Sequence, residues 1–246
     1  MKESKQTDAI QYVDELLPVP KYHKALMWIS TLMMFVLLYL IFIYSSIEKV
    51  MGPVQKIFYF HVGAAWTAFL SFIVVAICGA AYLITRKRIY DIYAGASAEL
   101  GVMLISFALL SGMFWARSSW NTWWEWEPRL TTTLILWFIF VAYLVVRHMD
   151  APWDKKARMS AVIGIIGALD VPVVFMAIRW WNAKLHPVVL GKGGGGMEGN
   201  MLFTMIFSFI TFTLIYLVLL QKGVYIEKAR IAVQQAKEHL QEKILG

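Results

Sequence analysis

Charge and cysteine are both scarce in this sequence. Charged residues make up 16% of its 246 residues, against about a quarter in soluble domains. The single cysteine, Cys78, excludes an intrachain disulfide, a CxxC redox pair and a cysteine-rich metal site. Hydrophobic residues, by contrast, make up 59% of the chain. This balance predicts a membrane protein.

Long apolar runs supply what the composition predicts. Six stretches are long enough for a membrane-spanning helix, which needs about 20 residues. They cover residues 25–47, 57–85, 93–116, 130–146, 159–178 and 200–221. The first follows a polar tail and lacks a small-residue cleavage site, so we interpret it as a retained helix and not a signal peptide. We predict an all-α polytopic membrane protein with six transmembrane helices in a single domain over 1–246.

The distribution of lysine and arginine predicts the orientation of these helices. Sixteen of the 23 basic residues lie in the N-terminal tail, the second and fourth connections and the C-terminal tail. The positive-inside rule then places both termini, including the tail 223–246, in the cytoplasm. The connections at 117–130 and around the glycine-rich, flexible segment 191–199 lie outside. Because the net charge of +7 mostly reflects this bias, we do not interpret it as nucleic-acid binding.

The outer connection between the third and fourth spans is unusually rich in tryptophan. Trp120, Trp123, Trp124 and Trp126 fall within seven residues. An aromatic belt at the membrane interface is the simpler explanation, but belt residues are spread over all helix ends. Indole rings offer large, rigid apolar faces at low conformational cost. Their density therefore favours a stacking platform for a flat aromatic ligand.

Two of the five histidines fall on the same side as the tryptophans. His61 lies about one turn inside the second span and His186 lies in the third outer connection, whereas His23, His148 and His239 are predicted to be cytoplasmic. Imidazole is a common axial ligand of haem iron. Two imidazoles beside an aromatic platform suit an iron porphyrin, with one nitrogen on each face of the ring.

The propionates of a porphyrin require cations for charge-assisted hydrogen bonds. Arg117, Arg129, Arg179 and Lys184 of the outer connections could provide them. Zinc is the alternative ligand, and Glu125 and Glu127 could complete a site with the two histidines. Tetrahedral zinc needs three or four such ligands, however, and it leaves the tryptophans unexplained.

The motifs in these outer connections resemble those of a known family. WWEWEPRLT at 123–131 resembles the tryptophan-rich WWD signature of haem-handling membrane proteins. Together with WWNAKLHP at 180–187 and the six spans, it is most similar to the CcmC family of the cytochrome c maturation system. The resemblance implies axial ligation by His61 and His186. It also implies transient, non-covalent binding of b-type haem at the periplasmic side of a bacterial inner membrane. The other residues implied in binding are Trp120, Trp123, Trp124, Trp126, Arg117, Glu127, Arg129 and Lys184.

The same resemblance implies a set of partners. Haem would pass to a membrane-anchored chaperone, CcmE, within a complex that contains the ABC transporter subunits CcmA and CcmB and the small subunit CcmD. Glu127 departs from the usual aspartate of the signature, so its carboxylate reaches one methylene further. Because the resemblance implies that the protein passes haem to a chaperone, a binding and transfer protein is expected rather than a stand-alone enzyme.

Three alternatives remain at this stage. A cytochrome c haem lyase of the same superfamily would generally be larger and carry further histidines within the membrane. A cytochrome b subunit would need histidines facing each other inside the bilayer. A purely structural subunit would leave the tryptophan-rich connection without a purpose.

Overall fold

The computed structural model describes residues 22–181 and 197–245, and within these ranges the chain is 88% helical without any β-strand. Its α-helices are α1 (Tyr22–Tyr39), α2 (Ile57–Thr85), α3 (Arg88–Trp120), α4 (Pro128–His148), α5 (Trp153–Ala168), α6 (Asp170–Trp180) and α7 (Gly199–Leu245). A π-helical segment, Leu40–Tyr44, extends α1, and a 3₁₀ turn, Pro53–Lys56, precedes α2. Six segments are long and apolar enough to cross a membrane, with α5 and α6 counted as one. The predicted fold class is thereby confirmed.

Helix α2 lies at the centre of the bundle and packs against α3, α5 and α7. It contains no Asp, Glu, Lys or Arg, and twelve of its residues are buried against neighbouring helices. Phe72 is fully buried and stacks on Phe140 of α4 at 3.7 Å between ring centroids. At Gly79 an added Cβ would lie 3.3 Å from the Ala161 backbone, so the missing side chain lets α5 approach closely. The central position of α2 carries His61 into the bundle.

Several helices extend beyond the apolar runs that predicted them. Helix α3 starts at Arg88 and ends at Trp120, past both ends of 93–116, and α7 continues without a break to Leu245. The fifth span is divided at Leu169. Pro172 follows the break and has no N–H to pair with the carbonyl of Ala168, which interrupts the helical ladder there. Hydropathy predicts neither feature, because the added helix ends are polar and the break lies within an apolar run.

A buried polar cluster ties three helices together at one end of the bundle. Arg147 of α4 donates to Asp91 of α3 at 2.5 Å, and their side chains are only 17% and 5% exposed. Trp153, the first residue of α5, donates to the same carboxylate at 3.1 Å. We call this the tail end, because α7 leaves the bundle there, and the opposite end the loop end. The tryptophan-rich connection and the start of α2 both belong to the loop end.

Candidate functional site

A narrow cavity opens at the loop end between α2, α3 and the start of α4. Its volume is about 50 Å³. Seven of its lining residues carry aromatic, imidazole or charged side chains: His61, Phe69, Trp115, Trp120, Trp123, Trp124 and Arg129. The fold thus brings one predicted ligand, three of the four predicted tryptophans and one predicted cation to a single place.

His61 is held by hydrogen bonds from its neighbouring helix. Its Nδ1 lies 2.9 Å from the carbonyl oxygen of Ala108 and 3.2 Å from Oγ of Ser111. Because a carbonyl can only accept, Nδ1 carries the proton, and the neutral ring has its lone pair on Nε2. Metal-binding histidines are typically oriented this way, with the second nitrogen donating to a carbonyl or carboxylate.

Gly112 leaves room for the imidazole on α3. A Cβ at this position would lie 3.1 Å from Cε1 of His61 and 3.5 Å from its Nδ1. Contacts of 3.1 Å are tighter than most real side chains tolerate, so any larger residue would press on the ring. The sequence did not predict this contact, because Gly112 is only one of several small residues in an apolar helix.

Trp115 connects the histidine to the tryptophan-rich connection. Its ring centroid lies 6.0 Å from that of His61 and 6.0 Å from that of Trp120. Only 6% of Trp115 is exposed, whereas the predicted tryptophans lie nearer the surface. The sequence analysis did not select Trp115, because it belongs to an apolar span. Its position shortly before Trp120 on the same helix is the one signal that could have found it.

The four predicted tryptophans do not share one flat surface. Trp123 is half-exposed and packs edge-on against Phe114 at 5.8 Å. Trp124 and Trp126 meet at an interplanar angle of 76°. Trp126 is 75% exposed and lines a groove outside the cavity. Rings arranged in this way could contact a bound molecule from several directions.

The predicted cations have different positions. Arg117 donates to both the backbone oxygen and Oδ1 of Asn121, each at 2.8 Å, and its guanidinium lies over the ring of Trp123. It thus holds the turn that ends α3. Arg129 lines the cavity from the first turn of α4, and Arg179 at the end of α6 is close enough to interact with it electrostatically. Two positive charges therefore lie near the cavity.

Two residues of the tryptophan-rich motif form the start of α4. Pro128 occupies the first helical position, where its missing N–H costs nothing. Glu127 precedes it as the capping residue in an extended conformation, and its carbonyl oxygen accepts from the N–H of Thr131 at 3.0 Å. Lys184 and His186 lie outside the described residues, as does most of 191–199.

Buried polar atoms around the cavity fit a ligand that carries acceptors. Trp115 Nε1, Trp124 Nε1 and Ser119 Oγ are buried, and within residues 22–181 and 197–245 none has a hydrogen-bond partner. A buried polar group without a partner costs about 1–3 kcal/mol. A carboxylate of a bound molecule would satisfy such donors. The described residues contain no group of three or more His, Cys, Asp or Glu placed to hold a metal ion. A porphyrin, which supplies most iron ligands itself, needs no such group.

Comparison with known proteins extends this picture to most of the chain. The family model described as "Heme exporter protein C" matches residues 13–240. The chain belongs to the heme exporter protein C family. Together with the six apolar helical segments, membership identifies it as a multi-pass membrane protein.

Individual members of the heme exporter protein C family show the extent of the likeness. That of Bradyrhizobium diazoefficiens is 33% identical over 170 residues, which is 68% of this chain and 64% of the relative. That of Paracoccus denitrificans is 28% identical over 192 residues, or 76% of this chain and 80% of the relative. That of Escherichia coli K12 is 30% identical over 138 residues, 55% of each chain. The chain thus spans a little under two thirds of the first of these relatives.

Proposed function

We propose that this protein binds haem at the outer face of the bacterial inner membrane and delivers it for cytochrome c maturation. The observation that carries the proposal is the cavity in which His61, with its lone pair on Nε2, lies beside Trp115, Trp120 and Trp124. The names of its relatives, heme exporter protein C and cytochrome c biosynthesis protein, support the same role. Both termini are then cytoplasmic and the loop end is periplasmic.

The residues take distinct parts in this proposal. His61 supplies one axial nitrogen to the iron, and His186 supplies the second from the other face. Arg129 and Arg179 neutralise the propionates, and Lys184 adds a third cation. Trp120, Trp123 and Trp124 contact the ring, while Glu127 and Arg117 fix the ends of the connection that carries them. Haem bound by these contacts alone is b-type and can be released.

Haem that is released from this site is transferred to partner proteins. The haem passes to the chaperone CcmE, and the chain works in a complex with CcmA, CcmB and CcmD. We propose these partners because membership of the heme exporter protein C family implies a role in a cytochrome c maturation system. The alternative function is a cytochrome c haem lyase, which would transfer haem directly to the apocytochrome.

The visible spectrum of the purified protein tests the site. A haem with two imidazole ligands is low-spin and gives sharp α and β bands on reduction. We expect His61→Ala and His186→Ala each to open an axial position, so that the iron becomes high-spin and added imidazole recovers the parent spectrum.

His148→Ala is the matched control for that experiment. His148 lies at the tail end, where its Nδ1 contacts the carbonyl oxygen of Leu144 at 2.8 Å, and its replacement should leave the spectrum unchanged. A His61→Ala protein that stays low-spin without added ligand would show that His61 is not axial. To separate the two functions, haem appearing on an apocytochrome c without CcmE would favour the lyase.

A further inference from the structure

A second space lies beside the cavity, on the outside of the bundle. It is a groove of about 460 Å³ between α3 and α4, open sideways, and its accessible lining is apolar. Leu110 of α3, Leu134 of α4 and Trp126 of the connection form its sides. Away from the loop end, Trp137 Nε1 donates to Oγ of Ser106 at 2.8 Å. That hydrogen bond joins α3 and α4 and closes the deep end of the groove.

The groove and the cavity share one wall. Leu109, Met113 and Trp124 line both of them. His61 stands on the inner side of this wall, and the half-buried faces of α3 and α4 stand on the outer side. A molecule in the groove is therefore separated from His61 by three side chains only.

The groove and the cavity differ in volume, and only the groove is as large as a usual site for a molecule of cofactor size. Sites for molecules of drug or cofactor size measure about 300–1,000 Å³. The groove, at about 460 Å³, falls in that range, and the cavity, at about 50 Å³, falls well below it. The groove thus offers space for a molecule of cofactor size as the structure stands, whereas such a molecule would reach His61 only if the wall moved.

The wall is made of side chains that can move at small cost. Met113 is unbranched and adapts its shape readily, and the side chain of Leu109 has no polar atom and so no hydrogen bond to break. Trp124 forms no hydrogen bond from its buried Nε1 to any described residue, so its rotation breaks no such bond. It would gain one if Nε1 met a propionate.

We propose that the groove between α3 and α4 is a first binding site for the porphyrin. The porphyrin enters it sideways from the outer half of the bilayer and then displaces the wall of Leu109, Met113 and Trp124 to reach His61. This inference rests on the proposed function. It names the porphyrin as occupant because the groove shares a wall with the candidate haem site and is bordered by Trp124, Trp126 and Trp137, whose aromatic rings suit a flat apolar ligand.

Filling the groove tests the proposal. Leu110 is 57% exposed on the lipid-facing side of α3, and Leu110→Trp should occupy the space without touching His61. The purified chain is reconstituted in phosphatidylcholine vesicles, haemin is added to the bilayer, and the shift of the Soret band is followed over time. We expect loading to become about tenfold slower, with the same final bis-imidazole spectrum as the parent.

Met103→Trp is the matched control. Met103 lies on the same face of α3 two turns deeper, is similarly exposed at 52%, and does not line the groove. It should load at the parent rate. Leu134→Trp fills the groove from α4 and should slow loading as Leu110→Trp does, which guards against a defect particular to one variant.

The outcomes separate the two proposals. A parent protein that never gains a bis-imidazole spectrum contradicts the proposed function itself. If the parent loads normally and both groove variants load at the same rate as the parent, the groove is not a first binding site for the porphyrin. The proposed function would still stand, and the groove would be assigned to a lipid acyl chain. Equal slowing by Met103→Trp, or an altered final spectrum in the groove variants, also overturns it.

Discussion

At the scale of single residues, the properties of His61 depend on the helix beside it. The carbonyl of Ala108 fixes the proton on Nδ1 and so determines which nitrogen can bind a metal. Gly112 leaves the space in which the ring turns to make that bond. Neither feature belongs to His61 itself, so α3 determines whether α2 offers a ligand.

Gly112→Ala tests this dependence. The added methyl would lie 3.1 Å from Cε1 of His61 and displace the ring by a few tenths of an ångström. We expect haem affinity, measured by titration of the Soret band, to fall about tenfold. Helix stability should not fall, because alanine is a better helix former than glycine by about 1 kcal/mol.

Gly223→Ala provides a control of equal crowding. Its methyl would lie 3.1 Å from Cβ of Ala96 on α3, away from the candidate site. Haem titration of this variant should match the parent. Equal affinity in all three proteins would show that Gly112 does not position His61.

At the scale of secondary-structure elements, α3 is anchored differently at its two ends. At the loop end its last turn closes on Asn121, which adopts a left-handed conformation with φ of 58° and accepts from Arg117. At the tail end Asp91 is buried against Arg147. The first anchor directs the chain into the tryptophan-rich connection, and the second holds α3, α4 and α5 together.

The turn at Asn121 should tolerate glycine but not a β-branched residue. Asn121→Gly keeps the left-handed backbone without strain, whereas Asn121→Val should cost about 1–2 kcal/mol there. We expect Asn121→Val to weaken haem binding by displacing Trp123 and Trp124, and Asn121→Gly to retain most of it. Arg86, with the same φ of 58° after α2, is the control. Arg86→Val should strain the tail end and leave haem titration unchanged.

The buried ion pair should matter far more for stability than an exposed one. Arg147→Met leaves Asp91 buried without its counter-ion, a change that typically costs 3–5 kcal/mol. Arg158→Met removes a pair with Asp154 whose side chains are 53% and 43% exposed, and such solvent-exposed pairs contribute little to stability. Thermal unfolding in detergent, followed by circular dichroism, should therefore show a large loss only for Arg147→Met. Adding Asp91→Asn should recover part of it; equal losses for both arginines would contradict this account.

At the scale of the whole molecule, the alternation of helices places His61, Trp120 and Arg179 at one end and Asp91, Arg147 and His148 at the other. The compartment that each end faces is a prediction that rests on the distribution of lysine and arginine alone. Reporter fusions at Arg88 and Asp154 should give cytoplasmic signals, and fusions at Asn121 and Gly194 should give periplasmic ones, because the bias of lysine and arginine retains the tail end inside. A cytoplasmic signal at Asn121 would place the candidate site on the wrong side for cytochrome c maturation.

The sequence by itself determined the number of spans and the chemistry gathered at one end. Hydropathy is a local property, so the six apolar runs predicted six helical segments, and α2 was predicted with the observed bounds. Pro128 marked the start of α4 for an equally local reason, its missing N–H. His61 and the tryptophans were assigned to the same end because His61 lies at the start of the second span and the tryptophans follow the third. The chain crosses the membrane twice between them and returns to the same side.

Only the tertiary structure decided how those residues meet. Trp115 and Gly112 entered the site because α3 turns that side toward α2, and the rotation of a helix about its axis depends on packing with its neighbours. The same packing left Trp126 outside the cavity and set Leu109, Met113 and Trp124 between cavity and groove. Arg117 stays a predicted cation for the ligand, and the structure adds a contact with Asn121, which the turn at the end of α3 brings close to it. Side-chain contacts between helices arise from three-dimensional packing, which hydropathy and spacing along the chain do not encode.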